Sequence, residues 1–182
     1  ILLRQLGVAS AVAVLAVSLG IPGAWADDQI ENPKVLMETT DGEITVELFA
    51  DKSPITVENF LRYVEDGHYD GTVFHRVISN FMIQGGGFTV ELEEKPTRGP
   101  IVNESVNKLH NTRGTLAMAR TSDPDSASAQ FFINQRSNLR LDWSGGKEGY
   151  TVFGEVVDGM QVVDIISLSD TGTAQAQTTR GP

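Results

Sequence analysis

The residues best placed to do chemistry lie between Thr72 and Gly87, in the run T-V-F-H-R-V-I-S-N-F-M-I-Q-G-G-G. The pattern predicts two short strands, Val73 to Ile78 and Phe81 to Gln84, around a Ser79-Asn80 turn. Alternation assigns Val73, His75 and Val77 to one face and Phe74, Arg76 and Ile78 to the other. An arginine within an apolar strand is costly unless its charge is paired or used. Just beyond it, Phe81 and Met82 offer a flat, pliable apolar surface, and Gln84 offers an amide able to hold the guanidinium. A fixed cation beside an apolar pocket, with no nucleophile near, suits binding a neutral group and polarising it.

Other chemistries find little support. The chain has no cysteine, which removes thiol catalysis and disulfides. His68, His75 and His110 are scattered without ligand spacing, so no metal site is expected. Ser126 and Ser128 lack the Gly-x-Ser-x-Gly setting of a hydrolase. Glu91, Glu93 and Glu94 sit with Lys95 in a polar run that reads as a solvated face. Gly145, Gly146 and Gly149 have no strand-loop-helix context for a phosphate loop. A net charge of -10, from 24 acidic and 14 basic residues, argues against nucleic acid as a partner.

The run F-H-R-V-I-x-x-F-M-I-Q-G-G resembles the signature of the cyclophilins, the peptidyl-prolyl cis-trans isomerases. Further segments agree in order: Glu47 to Phe60, Gly114 to Ala119, Ser128 to Asn134, Leu141-Asp142 and Val152 to Met160. The resemblance covers roughly Pro33 to Ser167 and implies a mainly β fold. That fold is a closed antiparallel eight-stranded β-barrel capped by two α-helices. It also implies an isomerase acting on X-Pro bonds without cofactor or metal, with proline-containing unfolded or flexible polypeptides as partners. The alternative on the same groove is a chaperone module that binds proline segments with little turnover.

By this resemblance Arg76 is the catalytic residue and Gln84 holds it. Phe81, Met82, Phe132 and Leu141 would form the proline pocket, and Gln130 would line the neighbouring groove. Tyr150 stands where many relatives have histidine. The backbone at Ala119 and Arg120 would bind an extended substrate strand. Arg120 replaces the asparagine common in this motif. Arg140 stands before Leu141-Asp142 where many eukaryotic relatives have tryptophan, which argues against tight cyclosporin binding. Trp143, one residue past that pair, has no assigned place.

The elements that must position these residues follow from periodicity. Val35 to Phe49 reads as a hairpin, with Asp41-Gly42 as a type I′ turn. A helix follows: Ser53 or Thr56 would cap it, Pro54 would open it, and Val57, Phe60, Leu61 and Val64 give one apolar face. Gly67 would end it. His110 reads as a structural hydrogen-bonding histidine. Gly114 to Ala119, Gln130 to Asn134 and Tyr150 to Val157 read as strands, with Phe131 and Phe132 on opposite faces. Gly159 to Ile166 reads as a second helix with Met160, Val163 and Ile166 inward.

The ends read differently. Arg4, the apolar run Val8 to Leu19, Pro22-Gly23 and Ala24-Trp25-Ala26 make residues 1–26 a secretory signal peptide outside the fold. The competing reading, a membrane anchor, meets a run shorter than the ~20 residues a spanning helix needs. Export to a bacterial periplasm follows, with no stable membrane association after cleavage, and a monomer is expected. Residues 27–32 are a polar lead-in, 33–167 the isomerase domain, and 168–182 a patternless tail expected to be disordered. The start at Ile1 and the lack of an apolar strand after Leu168 read as truncation at both ends, with the final barrel strand missing.

Overall fold

The computed structural model describes residues 1–6 and 32–172. The expected signal-peptide core and cleavage site, nearly all of the polar lead-in, and the tail from residue 173 lie outside the described residues. The strands are β1 (Leu2–Leu6), β2 (Lys34–Thr39), β3 (Gly42–Leu48), β4 (Arg76–Ile78), β5 (Met82–Gly85), β6 (Thr115–Met118), β7 (Phe131–Asn134) and β8 (Val152–Asp158). Helices α1 (Pro54–Glu65) and α2 (Met160–Ser167) complete the fold. All strand pairs are antiparallel, in the order β1-β2-β3-β8-β6-β7-β5-β4.

The eight strands and two helices agree with expectation, but the eighth strand comes from the other end of the chain. β1 pairs along β2 from Leu2 opposite Glu38 to Leu6 opposite Lys34. Leu3 is buried at 3 % exposure, so in the full chain this segment packs on the sheet. An apolar, β-compatible segment beside an unpaired sheet edge gains a ladder of hydrogen bonds and a buried leucine by docking there. Among the described residues the ladder does not close, since β1 and β4 end the order. The residue before β1 meets the loop upstream of β4, where the Gly71 N–H donates to the Ile1 carbonyl at 3.0 Å.

The β2–β3 hairpin forms one residue away from the expected turn. Thr39 pairs with Gly42, which makes Thr40 and Asp41 the loop, and Asp41 does not take positive φ. The Thr39 hydroxyl closes the turn, accepting from the Asp41 N–H at 3.2 Å and donating to the Gly42 carbonyl at 2.7 Å. Gly42 is needed all the same: its φ is 134°, and a Cβ there would meet Val162 of α2 at 3.0 Å.

One face of the sheet holds the main core. Val35, Met37, Ile44, Val46, Leu48, Leu116, Ile133 and Phe153 are fully buried in it. α1 packs Val57, Phe60, Tyr63 and Val64 against that face. The Phe60 ring lies 5.2, 5.5 and 5.1 Å from those of Tyr69, Phe131 and Phe153, in tilted or edge-on contact. α2 adds Val162, Val163 and Ile166, with Met160 partly buried; Val162 extends the face expected for it.

The cap of α1 is not the expected one. Ser53 makes no capping bond; its hydroxyl donates to the Val152 carbonyl at 2.8 Å. The Glu104 carboxylate takes that role from far along the chain. It accepts from the N–H groups of Ile55 and Thr56 at 3.2 and 2.8 Å and from the Thr56 hydroxyl at 2.7 Å. A carboxylate there meets both the orphan donors and the positive end of the helix. Glu104→Ala should therefore lower stability by about 1–2 kcal/mol. A denaturant midpoint equal to that of the wild type would show the cap to be inert.

Candidate active site

The other face of the sheet carries the site, and strand register builds it. Arg76 of β4 lies opposite Gln84 of β5, Gln84 opposite Phe132 of β7, and Phe132 opposite Ala117 of β6. Directly paired residues share a face, so this row crosses the sheet on one side. Met82, two residues before Gln84, joins it, while Ile83, Phe131 and Ile133 point into the core. Met82, Ala117, Phe132 and Val152 form a second buried apolar cluster, with Phe81, Ala119, Leu141 and Tyr150 packed around it. Phe131 and Phe132 thus fall on opposite faces as expected.

Arg76 is exposed, not buried in an apolar strand, because β4 is an edge strand of three residues. Strict alternation also fails before it. Phe74 and Val77 both pack on the main core, since residues 73–75 precede the strand and lie outside its ladder. The guanidinium donates from Nη1 to the Gln84 Oε1 at 3.4 Å. Gln84 Nε2 in turn donates to the Gln130 Oε1 at 2.9 Å. Nearby His75 stacks edge-on with Phe88 at 4.6 Å, and burial pushes its pKa down.

These residues border a cleft of about 420 Å³. Its wall contains every expected site residue: Arg76, Phe81, Met82, Gln84, Ala119, Arg120, Gln130, Phe132, Leu141 and Tyr150. Glu94, Thr121, Ser126 and Ser128 also line it, and the sequence pattern singles out none of them for this cleft. Phe132 and Tyr150 meet edge-on at 5.6 Å. Arg120 folds over the Tyr150 ring at 4.6 Å, and Arg140 lies 5.0 Å from the Phe81 ring centre. Trp143 is half-buried and does not line the cleft. The Ala119 N–H is already donated to the Gln130 carbonyl at 2.9 Å, so strand addition there would use the Ala119 carbonyl instead.

A family model described as cyclophilin type peptidyl-prolyl cis-trans isomerase matches residues 34–180. The chain belongs to this family. A peptidyl-prolyl cis-trans isomerase of Acinetobacter baylyi is 55 % identical over 144 residues, covering 79 % of this chain and 77 % of that protein. Peptidyl-prolyl cis-trans isomerase B of Escherichia coli is 55 % identical over 141 residues, covering 76 % and 86 %. Among solved structures, a cyclophilin type isomerase of Cryptosporidium parvum, crystallised in the presence of the dipeptide Ala-Pro, has a TM-score of 0.64 and 28 % identity. The match covers 75 % of this chain and 86 % of that one.

In this cyclophilin the pocket wall is held by a polar network absent from the expected site. Asn134, fully buried, donates from Nδ2 to the Thr115 hydroxyl at 3.0 Å and to the Asn111 Oδ1 at 3.2 Å. Asn138 Nδ2 donates to the Asn134 Oδ1 at 2.8 Å and to the Phe81 carbonyl at 2.9 Å, which fixes the loop that presents Phe81. Asp142 anchors the loop that presents Leu141. Its Oδ1 accepts from the Asn111 N–H and Nδ2 at 2.7 and 2.9 Å, and its Oδ2 lies 2.8 Å from His110 Nδ1. Burial pushes the Asp142 carboxyl up, but these bonds from Asn111 and His110 outweigh it and leave the pKa below the usual value. His110 is thus a hydrogen-bonding residue at the site's border.

Proposed function

We propose that this cyclophilin accelerates cis-trans isomerisation of X-Pro bonds in exported polypeptides as they fold, with Arg76 as its catalytic residue. One observation carries the reading: the Arg76 guanidinium, held by the Gln84 amide, borders an apolar cluster on the same side of one sheet. The barrier to turning an amide is roughly 18–20 kcal/mol and comes from resonance. Lowering it needs no nucleophile. It needs the proline ring held while the rest of the amide turns, with the twisted state bound better than the planar one.

Phe81, Met82, Phe132 and Leu141 would hold the ring. The Arg76 guanidinium would donate to the prolyl carbonyl and favour a pyramidal prolyl nitrogen, taking its lone pair out of conjugation. Gln84, itself anchored by Gln130, would keep the guanidinium aimed. The test is cis-trans relaxation of an Ala-Pro model peptide, compared with and without the protein. Acceleration supports the reading. Peptide binding without acceleration would instead make the groove a proline-segment-binding module.

We also propose a periplasmic location, which rests on the leader-like composition of residues 1–26. Cleavage after Ala26 would remove β1 and expose the outer edge of β2. The chain from Asp27 should then melt about 5–10 °C below the full chain, from the loss of Leu3 burial and its ladder. Equal melting temperatures would show that β1 contributes nothing to the fold. N-terminal sequencing of the periplasmic fraction checks the location itself; an uncleaved cytoplasmic product would overturn it.

A further inference from the structure

The proline cleft continues past Tyr150 and Leu141 into a second hollow of about 650 Å³, which shares Arg120, Thr121, Leu141 and Tyr150 with it. Its charge is out of keeping with the rest of an acidic chain. Arg120, Arg140 and Lys147 line it, opposed by Asp142 and Glu148. Asp142 offers little to a ligand, because both its oxygens are engaged with Asn111 and His110 and its side chain is only 11 % exposed. Arg120 is engaged too, its guanidinium donating to the carbonyls of Thr121, Glu148 and Gly149, so the free charges are Arg140 and Lys147 against Glu148, in a chain whose net charge is -10.

Elsewhere most of the described cations are paired. Among the described residues, Arg4, Lys34, Lys52, Arg62, Arg98 and Arg113 each lie within 4.0 Å of a carboxylate. Arg76, Arg120, Arg140 and Lys147 do not, and all four border the cleft or its extension. Lys95, Lys108 and Arg136 also lack a carboxylate partner, but line neither hollow. Two of the site arginines are held in place by other means. Arg120 lies over the Tyr150 ring and donates to the carbonyls of Thr121 and Glu148, both at 2.9 Å. Arg140 lies over the Phe81 ring. Arg120 is thus spent on carbonyls, whereas Arg140 stands at the rim of the proline pocket with its guanidinium donors open.

We propose that this basic extension selects substrates carrying a glutamate or aspartate close to the proline, with Arg140 as the main specificity-determining residue and Lys147 assisting. An extended chain advances about 3.3–3.6 Å per residue. An acidic side chain within two or three positions of a seated proline therefore reaches across the Tyr150–Leu141 wall. Fixed, unpaired cations at a partly enclosed rim attract such a group more strongly than mobile lysines on open surface do. The proposal rests on the placement of the proline in the Phe81–Phe132 pocket.

The experiment compares Ala-Pro peptides that differ only in a flanking Glu, Ala or Lys, placed in turn before and after the proline. At low salt, kcat/KM should favour the Glu peptide over the Lys peptide by roughly three- to tenfold at one of these positions. The ratio should collapse toward one at high salt, and in an Arg140→Gln, Lys147→Gln double variant. Arg140→Lys should keep most of it, since it retains the charge; a structural role for Arg140 alone would not give that pattern. Equal rates for all peptides at both positions would overturn the proposal while leaving the isomerase reading intact. Should no peptide be accelerated, the isomerase reading fails, and fluorescence anisotropy with labelled Glu and Lys peptides decides the charge preference by itself. Tighter binding of the Glu peptide sustains it, and equal binding overturns it.

Discussion

Arg76→Ala should lower kcat/KM for Ala-Pro isomerisation by about 100- to 1000-fold, the loss expected when a lone donor to the developing transition-state charge is removed. The fold should hardly respond. Arg76 is exposed, sits on the edge strand β4, has no carboxylate partner among the described residues, and makes one side-chain hydrogen bond, at 3.4 Å. That distance is long for an N–H···O bond, so its loss removes little stability. A bond this weak also leaves the guanidinium able to turn toward a substrate carbonyl. Arg76→Lys should recover only part of the rate, because an ammonium lacks the planar fork that can serve Gln84 and a carbonyl together. Circular dichroism on the same samples checks folding. A folded Arg76→Ala protein with unchanged kcat/KM would remove Arg76 from the mechanism.

The pairing of Arg76 with Gln84 was legible because it is local. Eight residues and one short turn place them opposite each other on antiparallel strands, and period-two alternation puts Met82 and Gln84 on one face. Neither spacing nor periodicity connects that hairpin to Ala119, Arg120, Gln130, Phe132, Leu141 and Tyr150. Only the family resemblance gathers them, and the cleft then contains all of them. The scaffold beneath was not legible. Asn111, Asn134, Asn138 and Asp142 are common polar residues whose partners lie as far as 57 positions away. A buried polar group must find a partner, but sequence does not say which one.

Misreadings of the elements have the same origin. The α1 cap comes from Glu104, roughly fifty residues downstream, where a local rule points to Ser53. The hairpin turn moved by one residue because the Thr39 hydroxyl and the approach of α2 to Gly42 outweigh the Asp-Gly preference. Leu2–Leu6 joined the sheet because an unpaired edge of β2 was open to it, and only topology reveals that edge. Helix faces fared better: Val57, Phe60 and Val64 in α1, and Val163 and Ile166 in α2, are buried where periodicity placed them. Amphipathic spacing is written within the element, whereas caps and edges depend on what the rest of the chain brings.

Phe132→Ala should produce the largest loss of stability, about 3–5 kcal/mol. Phe132 is 4 % exposed and stands at the centre of the second apolar cluster, between Gln84 of β5 and Ala117 of β6, with the Tyr150 ring against its edge. The cluster lies on the face away from the main core, so no neighbouring layer of the core can collapse into the space left behind. The melting temperature should fall by about 10 °C or more. The same change should raise KM for Ala-Pro peptides, because the proline ring would lose the wall it packs against. Phe132→Leu separates the two effects: it keeps much of the buried volume, so most of the stability should return, while the flat face offered to the ring stays lost. An unchanged melting temperature for Phe132→Ala would mean that this cluster is not a packed second core. A folded Phe132→Leu protein with the wild-type KM would mean that the proline ring sits elsewhere, and would move the pocket away from β7.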